Sequence, residues 1–370
     1  MSCGPGNLYC YFSGHNDLLN KIFRKQRESF GLDIGSSSVK VVQIRDSGGT
    51  RALTGFGMVS LPNETITDGA INDPGTVADA IKEAVARAGV KGTDAAISIC
   101  GRELIIKKIQ IPEVPAAEID DVVRLEAEHH IPFAIDEVFI DHHTVGMHGG
   151  QLDLILVAVK KAKVTDYMTV VEQAGLSPST VDVDGFALGN QFEANFPGED
   201  DEAVALIDIG ASIMKTNVLR KGATIFARDI PFGGNNYTQA IAQRLNISFE
   251  QAEAAKVGKD VGVKWETLVP PLEAVSRDLS LEVQRTFDYF ASTAESERIG
   301  KIVLAGGCAQ LPGLNEYLSS NWGIPVELAR PLERIQVASN YAADVGALAP
   351  ALAVAVGLAL RRPGDKEQPR

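Results

Sequence analysis

The stretch "FGLDIGSSSVKVVQI" runs from Phe30 to Ile44, and a variant of it, "ALIDIGASIMKTNVL", returns from Ala205 to Leu219. The two align without a gap: Asp33 falls on Asp208, Ile34 on Ile209, Gly35 on Gly210, Ser37 on Ser212, Lys40 on Lys215 and Arg45 on Arg220. Each copy is an apolar run, then Asp-x-Gly with small residues, then a second apolar run, which reads as two strands joined by a tight turn. A turn of glycine and serine exposes backbone N–H groups with no bulky side chain in the way, so it can cradle phosphate oxygens. Two such turns, one per half of the chain, predict a phosphate chain clamped between two related domains.

The rest of the chain suits that reading. Its 370 residues suffice for two to four domains. The net charge of −13 argues against general nucleic-acid binding, which needs clustered Lys and Arg. Cys3, Cys10, Cys100 and Cys308 show no CxxC or disulfide-like spacing, which fits a reducing compartment. The longest apolar run, Val345 to Leu360, is shorter than the roughly 20 residues that span a bilayer and predicts a buried helix instead. The first residues lack a signal-peptide pattern. After them, Leu18, Leu19, Ile22 and Phe23 form an apolar stripe among Lys21, Arg24, Lys25 and Arg27. That stripe reads either as a leader packing on its own domain or as a weak membrane- or partner-binding helix.

Between the two turns the pattern predicts strands through "GGTRALTGFGMVSLP" and a helix in "DPGTVADAIKEAVARAGV", capped by Asp73 and ended by Gly89. "DAAISICG" then reads as a buried strand. From about 110 to 180 the texture changes to a helix stopped by Pro132, a hairpin turning near His148-Gly149-Gly150, and a second helix ending at Gly175. This reads as a small α+β insertion. Beyond the second turn, Gly233-Gly234 lead into a helix, 260–298 is helical and charged, and "RIGKIVLAGGCAQLPGLNEYLSSNWGIPVEL" is strand, glycine turn, helix, strand.

Asp33 and Asp208 end their strands beside the turns, where paired carboxylates can hold Mg²⁺ through water. The odd spacing from each Asp to Lys40 or Lys215 predicts that each lysine lies on the opposite strand face. Gly306-Gly307 end a buried strand and would let a flat ligand such as adenosine approach the backbone. Glu253 and Lys256 share a helix face, and Asp182 and Asp184 lie between the halves. Five of the six histidines lie between 129 and 148, but without metal-ligand spacing, and no G-x-S-x-G supports hydrolase chemistry.

This ordered set resembles the actin-like ATPase superfamily. "DIGSSSVK" and "DIGAS" look like its two phosphate motifs, "VDVDGFAL" and "ALAVAVGLALR" its connecting motifs, and "LAGGCAQLPGL" its adenosine motif. "EAEHHIPFAIDEV", "VAVKKAKVTDYMTVVEQAGLSPSTVDVDGFALGN" and "DIPFGGNNYTQAIAQRL" narrow the resemblance to the PilM family of the type IV pilus inner-membrane platform. It covers residues 28 to 361. It implies an α/β fold of two duplicated RNase H-like halves, divided as in FtsA: a leader 1–28, subdomain 1A over 29–109 and 181–202, an inserted 1C over 110–180, 2A over 203–231 and 300–361, 2B over 232–299, and a tail 362–370.

By the same resemblance, ATP with Mg²⁺ lies against Gly35, Ser36, Ser37, Ser38, Lys40, Gly210, Ala211, Ser212, Glu253, Lys256, Gly306 and Gly307, with the metal on Asp33 and Asp208. The implied partner is the cytoplasmic N-terminal peptide of PilN, in a groove between 1A and 1C; motor ATPases and the platform protein are further partners, and the place is cytoplasmic, peripheral to the inner membrane. Ala211 and Ser212 depart from the longer glycine run of hydrolysing relatives, and Asp182 and Asp184 are the candidates to orient a water, so ATP binding is expected with weak or absent hydrolysis. The alternatives are an FtsA-like membrane tether or a phosphotransferase of the same fold.

Overall fold

The computed structural model describes residues 29–198, 202–293 and 297–361. The stripe at 18–23 and the tail at 362–370 therefore lie outside the described residues.

The first half begins with β1 (Phe30–Ile34), β2 (Ser38–Ser47), β3 (Thr50–Ser60) and the short β4 (Ile66–Thr67) and β5 (Ala70–Ile71). Helix α1 (Pro74–Ala88) follows as expected: the Asp73 side chain accepts the Thr76 N–H, and Gly89 leaves it at φ 65°. Next come β6 (Asp94–Ile99), β7 (Leu104–Pro112), α2 (Ile119–His130), β8 (Val138–His148) and β9 (Gln151–Lys160). Helix α3 (Lys161–Gln173), β10 (Ser177–Val183) and α4 (Asp184–Asn195) complete the half.

The second half holds β11 (Ala203–Ile209), β12 (Met214–Arg220), β13 (Ala223–Ile230), α5 (Gly234–Leu245), α6 (Phe249–Lys256) and α7 (Trp265–Thr293). It continues with β14 (Ile299–Ala305), α8 (Leu314–Trp322), β15 (Val326–Leu328), β16 (Ile335–Val337), α9 (Ser339–Leu348) and α10 (Ala353–Ala359).

The duplication seen in the two turns extends to whole sheets. The first sheet is ordered β10-β6-β1-β2-β3-β16 and the second β13-β12-β11-β14-β15. In each, the strand before the turn pairs antiparallel with the strand after it, which pairs antiparallel with the next. On its other side the first strand pairs parallel with a later strand, β6 or β14. Both β1 and β11 are buried along their whole length, because central strands are covered on both faces. This is the duplicated α/β arrangement that the sequence implies.

The insertion is the three-stranded sheet β7-β9-β8 with α2. Its hairpin turns at Gly149 and Gly150, both with positive φ, as expected. Alternate residues of β9 serve two cores: Ile155, Val157 and Val159 join the first-half core, while Leu154, Leu156 and Ala158 pack with Val123 and Ala127 of α2. That double burial explains why "LILVAV" is an unbroken apolar run. The sheet starts at Leu104, ahead of residue 110, and α3 packs into the first-half core through Val164, Tyr167, Val170 and Val171.

The C-terminal apolar run is not one helix. Pro350 lies in a 3₁₀ turn between α9 and α10, where its missing N–H costs no helical bond. Ser339–Ala359 passes a test of length and apolarity for crossing a membrane, yet every residue of α10 is buried. Two glycines allow that burial. A Cβ at Gly31 would come within 2.2 Å of the Ala355 oxygen, and one at Gly357 within 1.8 Å of the Ala187 oxygen. Helix α10 is thus pressed between β1 and α4.

Candidate functional site

The two turns are closed alike: Gly35 N–H donates to the Ser38 oxygen at 3.1 Å, and Gly210 N–H to the Ile213 oxygen at 3.2 Å. They face each other across the halves, with Ser36 Oγ 2.5 Å from Ser212 Oγ. Ser37 is exposed, whereas Ser38 is buried as the first residue of β2 and contributes its carbonyl to the turn.

The expected opposite-face placement of the lysines is wrong. Asp33 stands directly across the ladder from Lys40, and Asp208 from Lys215. Directly opposed residues in an antiparallel pair share a face, whatever their separation in sequence. Alternation counted along one strand does not carry through a turn. Lys40 Nζ therefore reaches Asp33 Oδ2 at 2.8 Å, and Lys215 Nζ reaches Asp208 Oδ2 at 2.9 Å.

Asp184 begins α4 and brings a third carboxylate, 3.3 Å from Lys215 Nζ. Burial opposes its charge, but Lys215 and hydrogen bonds from Ser98 and Cys100 hold its carboxyl below the usual range. Burial also opposes the Lys215 charge, yet Asp208 and Asp184 outweigh it and keep the ammonium protonated well beyond the normal lysine range. Asp33 moves the other way: burial raises it, against Lys40 and with help from Asp184.

Asp182 has a different place. It is fully buried and accepts from Arg361 Nε at 2.6 Å. Burial lifts its carboxyl above the usual range despite Arg361. Asp182, a candidate to orient a water, is thus wholly enclosed with its carboxylate engaged by Arg361. Arg361, only 4% exposed, also ties the ends of the described chain together, since Ser29 Oγ donates to its carbonyl. An arginine after an apolar helix carries no sequence signal of such burial.

The remaining expected residues gather behind the second turn. Gly234 N–H and Asn235 N–H donate to the Gly210 and Ala211 oxygens at 2.9 and 2.8 Å. A Cβ at Gly233 would lie 2.5 Å from the Ala211 oxygen, so only glycine lets α5 start there. Lys256 Nζ bonds Glu253 Oε2 at 2.6 Å, Thr238 Oγ1 at 2.8 Å and the Gly234 oxygen at 3.1 Å. Gly306, at φ +88°, brings β14 to the same point: a Cβ there would be 2.7 Å from Asp208 Oδ1. Gly307 faces open space, and Cys308 lies near Gly234, its thiol pushed up by burial to about 12. Neither Thr238 nor Ile213 carries a sequence signal of its place here, because a lone Thr or Ile inside an amphipathic pattern reads as packing.

Among the described residues no group of three or more His, Cys, Asp and Glu is arranged to hold a metal directly. The residues at the turns suit a water-held divalent ion: both Asp33 and Asp208 give one carboxylate oxygen to lysine, which leaves the other for an outer-sphere contact. An open cavity of about 480 Å³ lies elsewhere, on the insertion, lined by Arg124, Glu128, Phe133, Ala134, Ile135 and Asp136.

Comparisons with known proteins agree with this geometry. The cell division protein FtsA of Streptococcus pneumoniae is 25% identical over 354 residues, covering 82% of this chain and 76% of FtsA. A solved PilM-PilN type IV pilus biogenesis complex contains a chain that is 29% identical, with a TM-score of 0.81, covering 91% of this chain and 98% of that one. The ethanolamine utilization protein EutJ of Carboxydothermus hydrogenoformans shares the fold at 18% identity and a TM-score of 0.56, over 92% of this chain and 91% of EutJ. The pattern of the type IV pilus assembly protein PilM matches residues 31–363. The chain belongs to the PilM family of type IV pilus assembly proteins and has the actin-like ATPase fold.

Proposed function

We propose that this protein is an ATP-binding adaptor of type IV pilus assembly. It holds Mg-ATP between its two halves and binds the cytoplasmic N-terminal peptide of a PilN partner beside the insertion. The observation that carries the nucleotide reading is the pair of like-closed turns facing each other, each with an Asp–Lys pair beneath it.

In this reading the backbone N–H groups around Ser36, Ser37, Ala211 and Ser212 take the phosphate oxygens, and Lys40 and Lys215 neutralise them. Asp33 and Asp208 hold magnesium through water, and the ion supplies charge neutralisation between phosphates. Glu253, Lys256, Gly306 and Gly307 border the nucleoside. Turnover is slow or absent, because Asp182 is engaged by Arg361 and Asp184 by Lys215. The bound nucleotide then stabilises domain closure by mass action.

The peptide reading is supported by the likeness to the solved PilM-PilN complex. In this reading the protein works at the cytoplasmic face of the inner membrane, held there through its partner and linking the platform to the motor ATPases. The test is labelled Mg-ATP on purified protein, with bound nucleotide and released phosphate followed together, then titration with a synthetic PilN N-terminal peptide. Near-stoichiometric ATP with little release and saturable peptide binding support the adaptor. Steady turnover or no peptide binding overturns it.

A further inference from the structure

Lys256 ends α6 with its ammonium turned inward: its side chain is 9% exposed, against 41% for its neighbour Glu253. An ammonium has three protons to donate. Glu253 Oε2, Thr238 Oγ1 and the Gly234 oxygen accept them at 2.6, 2.8 and 3.1 Å, which leaves none for a nucleoside. Thr238 is itself fully buried, and its hydroxyl is within bonding reach of the same Glu253 carboxylate and of the Gly234 oxygen, the latter at 3.1 Å. A Cβ at Gly234 would come 3.2 Å from Lys256 Nζ, so the ammonium sits directly against the first residue of α5. The charge is well placed there without a ligand, since a cation on the last turn of α6 meets the negative end of that helix dipole.

Gly234 in turn holds the second turn. Its N–H and that of Asn235 donate to the Gly210 and Ala211 oxygens. A trans peptide unit is planar, so its C=O points opposite to its own N–H, and none of the described units is cis. With the Gly210 and Ala211 carbonyls drawn to α5, the N–H groups of Ala211 and Ser212 face away from α5. The start of α5 is fixed once more by Asn236 Oδ1, which accepts the Gly233 N–H at 2.9 Å.

We propose that Lys256 is a positioning residue of the second turn and makes no contact with the nucleoside. Together with Thr238 it anchors Gly234, and Gly234 with Asn235 sets the peptide planes that present the Ala211 and Ser212 N–H groups to a phosphate. The ligand in this inference rests on the adaptor reading, within which it narrows the part played by Lys256. Glu253 keeps its other carboxylate oxygen outside these bonds, so the two neighbours on α6 have separate tasks.

The test begins on the full chain without ligand, by amide hydrogen exchange of the peptide that contains Gly234 and Asn235. Lys256→Met lowers its protection about tenfold, near the worth of one hydrogen bond to a charged group. Affinities for Mg-ATP, and for Mg-tripolyphosphate by competition, fall together by about tenfold each, because the turn and not the nucleoside has lost its support. Thr238→Val removes a hydroxyl at nearly constant volume and charge and moves both readings the same way, whereas Thr238→Ser stays with the wild type. Thermal transitions show that each variant is folded, and if Lys256→Met does not fold the two Thr238 variants decide. Unchanged protection in Lys256→Met overturns the proposal, and so does an affinity loss confined to ATP. A wild type that binds neither ligand sinks the adaptor reading instead, while the exchange result still decides whether Lys256 holds the turn.

Discussion

Lys215 Nζ lies 3.3 Å from Asp184, so an ammonium from the second half is held by a carboxylate at the start of the first half's last helix. The same nitrogen lies 2.9 Å from Asp208 of its own half. The pairing makes Lys215 a joint between the halves at the place where the two glycine turns meet.

Lys215→Met should therefore destabilise the protein by about 3–5 kcal/mol, because it leaves two buried carboxylates without a counter-charge. Denaturant unfolding measures the loss. Adding Asp184→Asn should restore part of it, since one of the stranded charges is then gone, and a double variant no more stable than the single one would contradict the pairing.

Arg361→Ala should cost a similar ~3–5 kcal/mol, as Asp182 is wholly buried and Arg361 nearly so. A matched apolar pair, Asp182→Leu with Arg361→Leu, should recover most of that stability while leaving nucleotide affinity unchanged. Lost nucleotide binding in a folded double variant would return Asp182 to the site.

Asp33→Ala and Asp208→Ala should each weaken Mg-ATP binding about 10- to 100-fold, by analogy with other outer-sphere carboxylates. Titration with magnesium and with excess chelator separates the metal contribution from the fold. Unchanged affinity in both variants would displace the metal from these two residues.

Gly357→Ala should destabilise by about 1–3 kcal/mol or prevent folding, since its methyl would fall 1.8 Å from the Ala187 oxygen. Gly307→Ala, whose Cβ would enter open space, should leave thermal stability nearly unchanged and is the matched control.

Asp229 gives the expected pH dependence of stability. Its carboxyl is raised in the folded protein, so the stability it contributes is present at acid pH and lost as pH rises through about 7. The Asp229→Asn variant should show a smaller fall in thermal midpoint between pH 6 and pH 8 than the wild type. Parallel curves would mean that another group controls the transition.

The amino-acid sequence by itself determined the duplicated half, its strand-turn-strand units, the capped helix after Asp73, the hairpin at Gly149-Gly150 and the positions of both Asp-x-Gly turns. Those signals are local: a turn needs glycine where φ is positive, and a helix needs a cap within a few residues of its first turn. Only the tertiary structure decided how charge is arranged. Strand alternation placed Lys40 and Lys215 away from their aspartates, and the cross-strand register brought them together. Asp182 looked like Asp184 in the motif "DVDG", yet the one lies at the end of β10 paired with Arg361 and the other, two residues on, begins α4 paired with Lys215. The Asp229–Gly101 contact joins residues far apart in the chain and has no periodic pattern to announce it. Burial and pairing between distant segments set which of these charges is neutralised, and a linear sequence does not show which segments meet.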